Sequence, residues 1–259
     1  MFTINGSPSI NPRRPKAFIS ALTANYLHLR NPYVIAWWSA AFPGFGHISL
    51  GNYIQGFLLF TWEMVVNTQA QINLGIFYSF TGRYDMAKDI LDSRWLLLYV
   101  SVYVFAMWSS YRLTVTLNSF SLLADRNHSP IDVVQMSSME LNFVDKRSPW
   151  VAVMWSALTP GIGHLYTHRI PTGFFVLIWW IVICYLSHVL QAIQYTALGE
   201  FEYAKGVLNI EWFLYLPSIY GYALYDTYAN IVETNRLYDR EQADYLSKKY
   251  QSPDFIMPV

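Results

Sequence analysis

The chain has 259 residues, of which 54% are hydrophobic, 18% are aromatic and 13% are charged. Soluble domains carry about 25% charged residues, so this composition argues against an ordinary soluble domain and favours a membrane protein rich in interfacial Trp and Tyr. The formal net charge is zero, so we expect no nucleic-acid partner, and the single cysteine, Cys184, excludes an intrachain disulfide.

The first 30 residues, which include Arg13, Arg14 and Lys16, are basic and hold no uninterrupted apolar run. We therefore expect no signal peptide here and a cytoplasmic location for this segment. Helical spacing relates four apolar residues within it: Phe18, Leu22, Tyr26 and Leu29. That spacing predicts an amphipathic helix over 17–29 that lies in the membrane interface.

The chain then repeats itself. Segment 31–121 aligns with segment 148–238 without a gap, with about 26 identities in 91 positions. The matching pairs include Pro32/Pro149, Trp38/Trp155, Gly56/Gly173, Trp62/Trp179, Lys88/Lys205 and Trp95/Trp212. The sequence therefore predicts a tandem duplication of one helical unit. A basic segment at 1–30, a polar linker at 122–147 and a polar tail at 239–259 complete the chain.

Each unit begins with a short apolar helix that a Pro-Gly-x-Gly-His turn breaks. The turn consists of Pro43, Gly44, Gly46 and His47 in the first unit, and of Pro160, Gly161, Gly163 and His164 in the second. A long apolar helix follows, over 53–73 or 171–191, then an interfacial amphipathic link, and then a second long helix, over 95–117 or 212–232. Helices of this length match the hydrocarbon core of a bilayer, so we predict an all-α integral membrane protein. A soluble helical protein is the alternative.

Two topologies remain open at this point. If each short helix enters and returns, each unit crosses twice, and the N-terminal segment, linker and tail share one side. If each short helix crosses, the halves are inverted and the linker lies opposite the termini. The positive-inside rule does not separate the two arrangements. About ten residues before Pro43 rise only about 15 Å, which favours four full spans plus two short broken segments.

The histidine of each turn, His47 or His164, is the first candidate for chemistry. An imidazole can exchange protons near neutral pH or bind a metal, but neither turn has the further ligands that a metal site needs. We therefore expect these side chains to satisfy the broken backbone at the bend, and proton or ligand handling is the alternative. The sequence holds no recognisable catalytic, metal-binding or cofactor-binding motif, so we predict no catalytic residue, metal or cofactor.

Polar residues also lie within the long helices. Glu63, Asn67 and Gln71 follow each other at four-residue spacing, hence on one helix face. The corresponding residues of the second unit are Trp180, Cys184 and His188. Such a stripe predicts either hydrogen bonds between helices or the lining of a polar path.

The last helix carries Asp226, whose counterpart in the first unit is Ser109. The carboxylate is expected either at the interface in contact with water or paired with a buried donor such as His164. Pro217 and Gly221 in the same helix predict a kink.

Three stretches carry a resemblance to known families: "AAFPGFGHISLGNYIQGF", "SALTPGIGHLYTHRIPTGFF" and "YGYALYDTY". They resemble a group of bacterial multi-spanning membrane proteins, common in spore-forming Firmicutes, whose repeats read Pro-Gly-Leu-Gly-Gln/His-Leu-Tyr and later Tyr-Ala-x-x-Asp-x-Tyr. The first unit lacks the acid of that pattern. More distantly, the unit is similar to the two-helix transmembrane domain family with a Gly-x-Gly-x-His turn. These resemblances imply a bacterial membrane location and no particular reaction.

Three functions are compatible with these features. The first is a non-enzymatic accessory subunit, scaffold or sensor in a bacterial cell membrane, with both termini cytoplasmic and with a membrane protein or a second copy as partner. The second is a small transporter or channel-like protein with pseudo-symmetric halves. The third is a membrane-embedded enzyme that acts on lipid through His47, His164, Glu63 or Asp226.

Overall fold

The computed structural model describes residues 15–251 except His128, Pro130, Asp132, Met139 and Glu140. Most of these residues are in α-helices, in agreement with the predicted all-α class. The predictions for 1–14, with Arg13 and Arg14, and for 252–259 lie outside the described residues.

The elements of the first half are β1 (Ala17–Ile19), β2 (Ala24–Tyr26), α1 (Pro32–Ala41), α2 (Phe45–Ser49), α3 (Tyr53–Ala70), α4 (Ile72–Phe80), α5 (Tyr84–Ile90) and α6 (Ser93–Arg126). Those of the second half are β3 (Val134–Met136), β4 (Leu141–Phe143), α7 (Pro149–Leu158), α8 (Ile162–Tyr166), α9 (Ile170–Ser187), α10 (Val189–Ala197), α11 (Phe201–Val207), α12 (Ile210–Phe213) and α13 (Leu216–Tyr250). The elements from β3 to α11 match those from β1 to α5 one by one in order and length, at the same residue offset that separates 31 from 148.

The prediction of a helix over 17–29 is wrong, because this segment forms an antiparallel hairpin in which Ala17 pairs with Tyr26. Ala17 and Ile19 are buried while Phe18 between them is 66% exposed, which is the alternation of a strand. A second hairpin, in which Val134 pairs with Phe143, occupies the predicted linker. Each half therefore begins with a hairpin.

The Pro-Gly-x-Gly-His stretch is a tight turn between two short helices. Asn31 caps α1, since its side chain accepts a hydrogen bond from the backbone N–H of Tyr33 at 2.9 Å, and Pro32 follows at the first helical position. The helix ends at Ala41, and Gly44 then adopts a φ of +103°, which favours glycine. A Cβ there would lie 2.9 Å from the backbone nitrogen of Phe60, so α3 also requires glycine at this position.

The long helices predicted over 53–73 and 171–191 end earlier than expected. Gln71 and His188 have left-handed backbones, with φ of +57° and +55°, and separate α3 from α4 and α9 from α10. The apolar sequence continues through both positions, so hydropathy alone does not mark the break. Gln71 thus leaves the face that it was predicted to share with Glu63 and Asn67.

The second long helix of each unit differs between the halves. α6 is continuous over 34 residues, about 51 Å, and it includes the first residues of the predicted linker. The predicted kink at Pro217 is a break instead, because Leu214 and Tyr215 separate α12 from α13 and Pro217 lies in the first turn of α13. α13 continues to Tyr250, so much of the predicted polar tail is helical.

Both hairpins lie at one end of the helical bundle, which we call the hairpin end. There Lys16 Nζ is 2.7 Å from Asp125 Oδ1, and the same carboxylate oxygen is 2.8 Å from Arg240 Nη1. Lys146 pairs with Asp239. The N-terminal hairpin, the end of α6, the linker and α13 therefore meet at this end. The opposite end, where α4, α5, α10 and α11 lie, is the far end.

Each short helix leaves the hairpin end and returns to it. Arg30, just before α1, donates from its guanidinium to the carbonyl of Ser49 at the end of α2. Arg147 makes the equivalent bond to the carbonyl of Tyr166. Asn118 accepts from the backbone N–H of Arg30 at 2.9 Å and donates to its carbonyl at 2.8 Å, and Asn235 repeats this pair of bonds with Arg147.

The halves pack through aromatic side chains in one core. The rings of Phe57 and Phe175 stack at 4.0 Å between α3 and α9. Phe45 of α2 stacks on Tyr222 of α13 at 3.9 Å with an interplanar angle of 3°. Because Tyr222 also lies beside Ser49 and Asp226, this contact places α2 of the first half against the polar residues of the second.

Candidate functional site

A cluster of buried polar groups centres on Asp226 of α13, which is 1% exposed. Arg169, directly before α9, forms an ion pair with its Oδ2. His164 Nε2 of α8 lies 3.2 Å from the same oxygen, and Ser49 Oγ of α2 donates to Oδ1 at 2.6 Å. Side chains from α2, from α8 and from the residue before α9 therefore hold the carboxylate, and α2 belongs to the other half.

The equivalent place in the first half carries no charge. His47 Nε2 lies 3.2 Å from Ser109 Oγ, which replaces Asp226. Asn52 replaces Arg169 and donates to Gln55 at 2.8 Å. The two turn histidines thus occupy equivalent, fully buried positions, but only the second faces a carboxylate.

The turn histidines do not bond the backbone of the bend, which is the role that we expected for them. Among the described residues, the hydrogen bonds of both imidazoles run to side chains of the long helices. The bend itself depends on glycine. A Cβ on Gly46 would lie 2.6 Å from the carbonyl oxygen of Ile35, and one on Gly163 would lie 2.5 Å from that of Ala152.

Asp226 is not solvated at an interface, and the buried pairing with His164, the other expectation, is the arrangement found. Sequence reasoning missed Arg169 and Ser49. A signal for Arg169 was present, because the second half replaces Asn52 by Arg169 and Ser109 by Asp226. Two opposite charges that replace uncharged residues together in one copy of a repeat are expected to form an ion pair.

The electrostatics keep this pair charged. Burial by itself lowers the pKa of the Arg169 guanidinium, but the carboxylate of Asp226 outweighs burial and raises that pKa above its ordinary value. The carboxylate of Asp226 in turn pairs with the guanidinium of Arg169 and contacts Ser49 and His164. These interactions offset the free-energy cost of removing the carboxylate from water.

Ser49, His164 and Asp226 are the residue types of a serine-hydrolase triad, but they do not have the geometry of one. A nucleophilic Ser must contact the His that accepts its proton, and the acid must orient that His. Here Ser49 donates to the acid instead, and His164 has Asp226 on one ring nitrogen and Thr227 Oγ1 at 3.5 Å from the other. Arg169 neutralises the acid as well. The geometry therefore serves cohesion between helices rather than proton abstraction from Ser49.

A second polar cluster lies farther along the bundle, between α3, α4, α6 and α12. Glu63 Oε1 accepts from Asn67 Nδ2 at 2.8 Å and from the hydroxyl of Tyr99 at 3.3 Å. Asn73 Nδ2 donates to the backbone carbonyl of Glu211 at 3.0 Å, and Glu211 Oε2 accepts from the backbone N–H of Leu74 at 2.6 Å.

This cluster contains two of the three residues of the predicted stripe. Glu63 and Asn67 are buried and bonded to each other, whereas Gln71 bonds the carbonyl of Thr68 at the helix break. His188 lies at the equivalent break of the second half and does not join either cluster. Sequence reasoning missed Glu211, whose counterpart Arg94 is an exposed residue of the far end.

Each glutamate of this cluster retains one oxygen without a partner. Glu63 and Glu211 are 3% and 5% exposed. Within the described residues, Glu63 Oε2 and Glu211 Oε1 are buried without a hydrogen-bond partner. Groups of three or more acidic, His or Cys side chains that could hold a metal ion are not found in the described part of the chain.

Comparisons of the chain with protein-family models, with curated proteins and with solved structures find no match.

Proposed function

We propose that the chain is a non-enzymatic integral membrane protein with four spans, which acts as an accessory subunit, scaffold or sensor in a bacterial cell membrane. The spans are α3, α6, α9 and α13, and α1–α2 and α7–α8 are short segments that enter the bilayer and return. Both termini and the linker belong to the cytoplasmic side, and the partner is another membrane protein or a second copy.

One observation carries the membrane location. The apolar part of α6 has a mean hydropathy of 1.3, yet only 11% of it is buried inside the fold. The core helix of a soluble protein would be mostly buried. Leu97, Leu98 and Trp108 are instead 59–74% exposed and face outward. A continuous apolar face of this extent needs a lipid or protein cover.

The second half supports the same location. α9 has 18 residues with a mean hydropathy of 2.0, and 33% of it is buried. By length and composition, α6 and α9 are the two described helices that could cross a membrane. α3, which carries the buried Glu63 and Asn67 among its apolar residues, and α13 fall outside that criterion. We include α3 because it equals α9 in length and position, and α13 because its first part corresponds to α6 in the repeat.

The side is assigned from charge. Four described basic residues lie at the far end: Arg83, Lys88, Arg94 and Lys205. The remaining described lysines and arginines lie toward the hairpin end, which the positive-inside rule places in the cytoplasm. Because the linker contacts both the N-terminal hairpin and α13, it shares their side, and this favours the four-span arrangement over the inverted one.

The non-enzymatic role rests on the closed geometry around Asp226, where every charged group has its partner inside the bundle. The test has two parts. We expect the full chain to remain with membranes in alkaline carbonate and to co-purify in mild detergent with a stable partner or a second copy. We also expect the double variant His47→Asn/His164→Gln to retain that partner when it folds. Extraction by carbonate, or loss of function in a folded double variant that keeps its partner, would contradict the proposal.

Transport of a proton or small cation is a second candidate, which the unpartnered oxygens of Glu63 and Glu211 favour. Buried acids in membrane helices commonly mark ion pathways. The test is flux of protons, Na⁺ and K⁺ in proteoliposomes of the purified chain, with Glu63→Gln and Glu211→Gln as variants. Flux that both variants abolish supports this candidate, and its absence for all three ions rejects it.

A further inference from the structure

A cavity of about 580 Å³ lies at the hairpin end. It is bounded by the β1–β2 hairpin, by the turn from Ser49 to Tyr53 and by Leu117 and Phe120 of α6. At its inner side it reaches Arg169, so it lies next to the buried ion pair with Asp226. A volume of this size accommodates a ligand much larger than water.

The charge of the cavity wall is positive. Lys16, Arg30 and Arg169 line it, and the lining includes no Asp or Glu. Two of these cations have a carboxylate behind the wall: Lys16 pairs with Asp125, and Arg169 pairs with Asp226. Asp125 is shared with Arg240, however, so it does not neutralise Lys16 fully.

Arg30 is the cation that is left over. Its guanidinium donates from Nη1 to the carbonyl of Ser49, and within the described residues it has no carboxylate partner. A guanidinium has five N–H donors, which match the oxygens of a phosphate. Together with Lys16, Arg30 presents donors and positive charge to the cavity, whose described lining holds no anion to receive them.

The rest of the wall is apolar. Leu27, Leu50 and Leu117 line the cavity, and Phe18 and Phe120 are 66% and 40% exposed beside it. The ligand therefore needs an anionic group at the inner side and an apolar part toward α6. Since the cavity lies where α6 approaches the cytoplasmic end of the span, it is at the depth of lipid headgroups.

We propose that this cavity binds the phosphate group of an anionic phospholipid, with Arg30 and Lys16 as donors and with Leu117 and Phe120 against the acyl chain. The assignment rests on the proposed membrane location. It goes beyond that proposal, because it names a ligand and the residues that bind it. The pocket that Arg147, the counterpart of Arg30, lines is much smaller, at about 30 Å³.

That asymmetry supplies a matched control. Arg30→Gln and Arg147→Gln remove the same kind of side chain and the same contact to a backbone carbonyl, but only Arg30 lines the large cavity. The full-length protein is purified in a neutral detergent and titrated with dihexanoylphosphatidylglycerol. Dihexanoylphosphatidylcholine and inorganic phosphate are titrated in parallel.

We expect saturable binding of the anionic lipid, weaker binding of the zwitterionic lipid and of inorganic phosphate, and a loss of about tenfold in affinity for Arg30→Gln but not for Arg147→Gln. Equal binding of inorganic phosphate would support the phosphate site and overturn lipid as its source. Absence of binding, or equal losses in both variants, would overturn the site.

If Arg30→Gln does not fold, Leu117→Trp tests the same cavity by filling its apolar side, and it should also weaken lipid binding. Undiminished binding by a folded Leu117→Trp protein would overturn the assignment. A chain that resists carbonate extraction but binds no anionic lipid rejects this inference alone. A chain that carbonate extracts rejects the membrane location.

Discussion

Arg169 and Asp226 form an ion pair inside the bundle, where their side chains are 6% and 1% exposed. The residues that occupy these positions in the first half, Asn52 and Ser109, are both uncharged. The two halves therefore share a backbone design but differ in how their polar interior is held together. In the second half, Asp226 also accepts a hydrogen bond from Ser49 of the first half, so the charged cluster connects the two halves as well as the helices of one half.

Breaking this pair should destabilise the protein strongly. Arg169→Asn or Asp226→Ser alone leaves one charge buried without its partner, and we expect each to cost about 3–5 kcal/mol. The double variant, which has the residues of the first half at both positions, should cost less than the sum of the single variants. Thermal unfolding in detergent, followed by tryptophan fluorescence, measures the cycle. Additive losses would show that the two charges do not act as a pair.

The glycine after each bend should be required for close helix packing. Gly163→Ala places a methyl group 2.5 Å from the carbonyl oxygen of Ala152, so α8 or α7 must shift. We expect a loss of about 1–3 kcal/mol, as for an overpacked core. Gly206→Ala is the control, because a Cβ there meets no atom within 4 Å. Its unfolding midpoint should stay the same or rise, and an equal fall in both variants would contradict the packing argument.

His28 should make the fold sensitive to acid. Burial first, and the charge of Arg30 second, lower the pKa of His28 from 6.5 to about 3. Between these values the unfolded chain binds a proton that the folded chain does not, so stability falls as the pH falls below 6.5. The slope from this group is at most about 1.4 kcal/mol per pH unit.

The check is the unfolding midpoint of the wild type and of His28→Gln from pH 7.5 to pH 4. The wild type should lose stability faster over this range, because the variant lacks the titrating group. Parallel curves would mean that His28 has the same pKa in the folded and unfolded chains.

Much of the architecture follows from the sequence. The gapless alignment places equivalent elements at equivalent positions, and Pro43 and Gly44 mark the bend because few other residues accept its backbone. The hairpin at 17–26 was misassigned, since its strands have three residues each and Phe18 and Leu22 also satisfy helical spacing. The break at Gln71 was missed because a left-handed residue within an apolar run leaves no mark in hydropathy.

The candidate site was predictable only in part. His164 and Asp226 could be paired from sequence because each stands out in an apolar segment. Arg169 directly precedes α9, a position typical of a cation at the membrane interface. Ser49 has no sequence feature that distinguishes it from other serines. Their roles depend on how α2 packs against α13 through Phe45 and Tyr222, and that is a tertiary contact between halves. The family resemblance, which no match tests, stays a prediction.

The proposed topology has four membrane spans and places the linker on the side of both termini. Single cysteines at Asn52, Lys88 and Asp145, in a Cys184→Ala background, report it through a membrane-impermeant thiol reagent applied to intact cells. We predict that only Lys88→Cys is labelled from outside, and that Asn52→Cys and Asp145→Cys are labelled only after the membrane is opened. Labelling of Asp145→Cys and Asn52→Cys in intact cells, with Lys88→Cys protected, would contradict the four-span topology and support the inverted six-span arrangement.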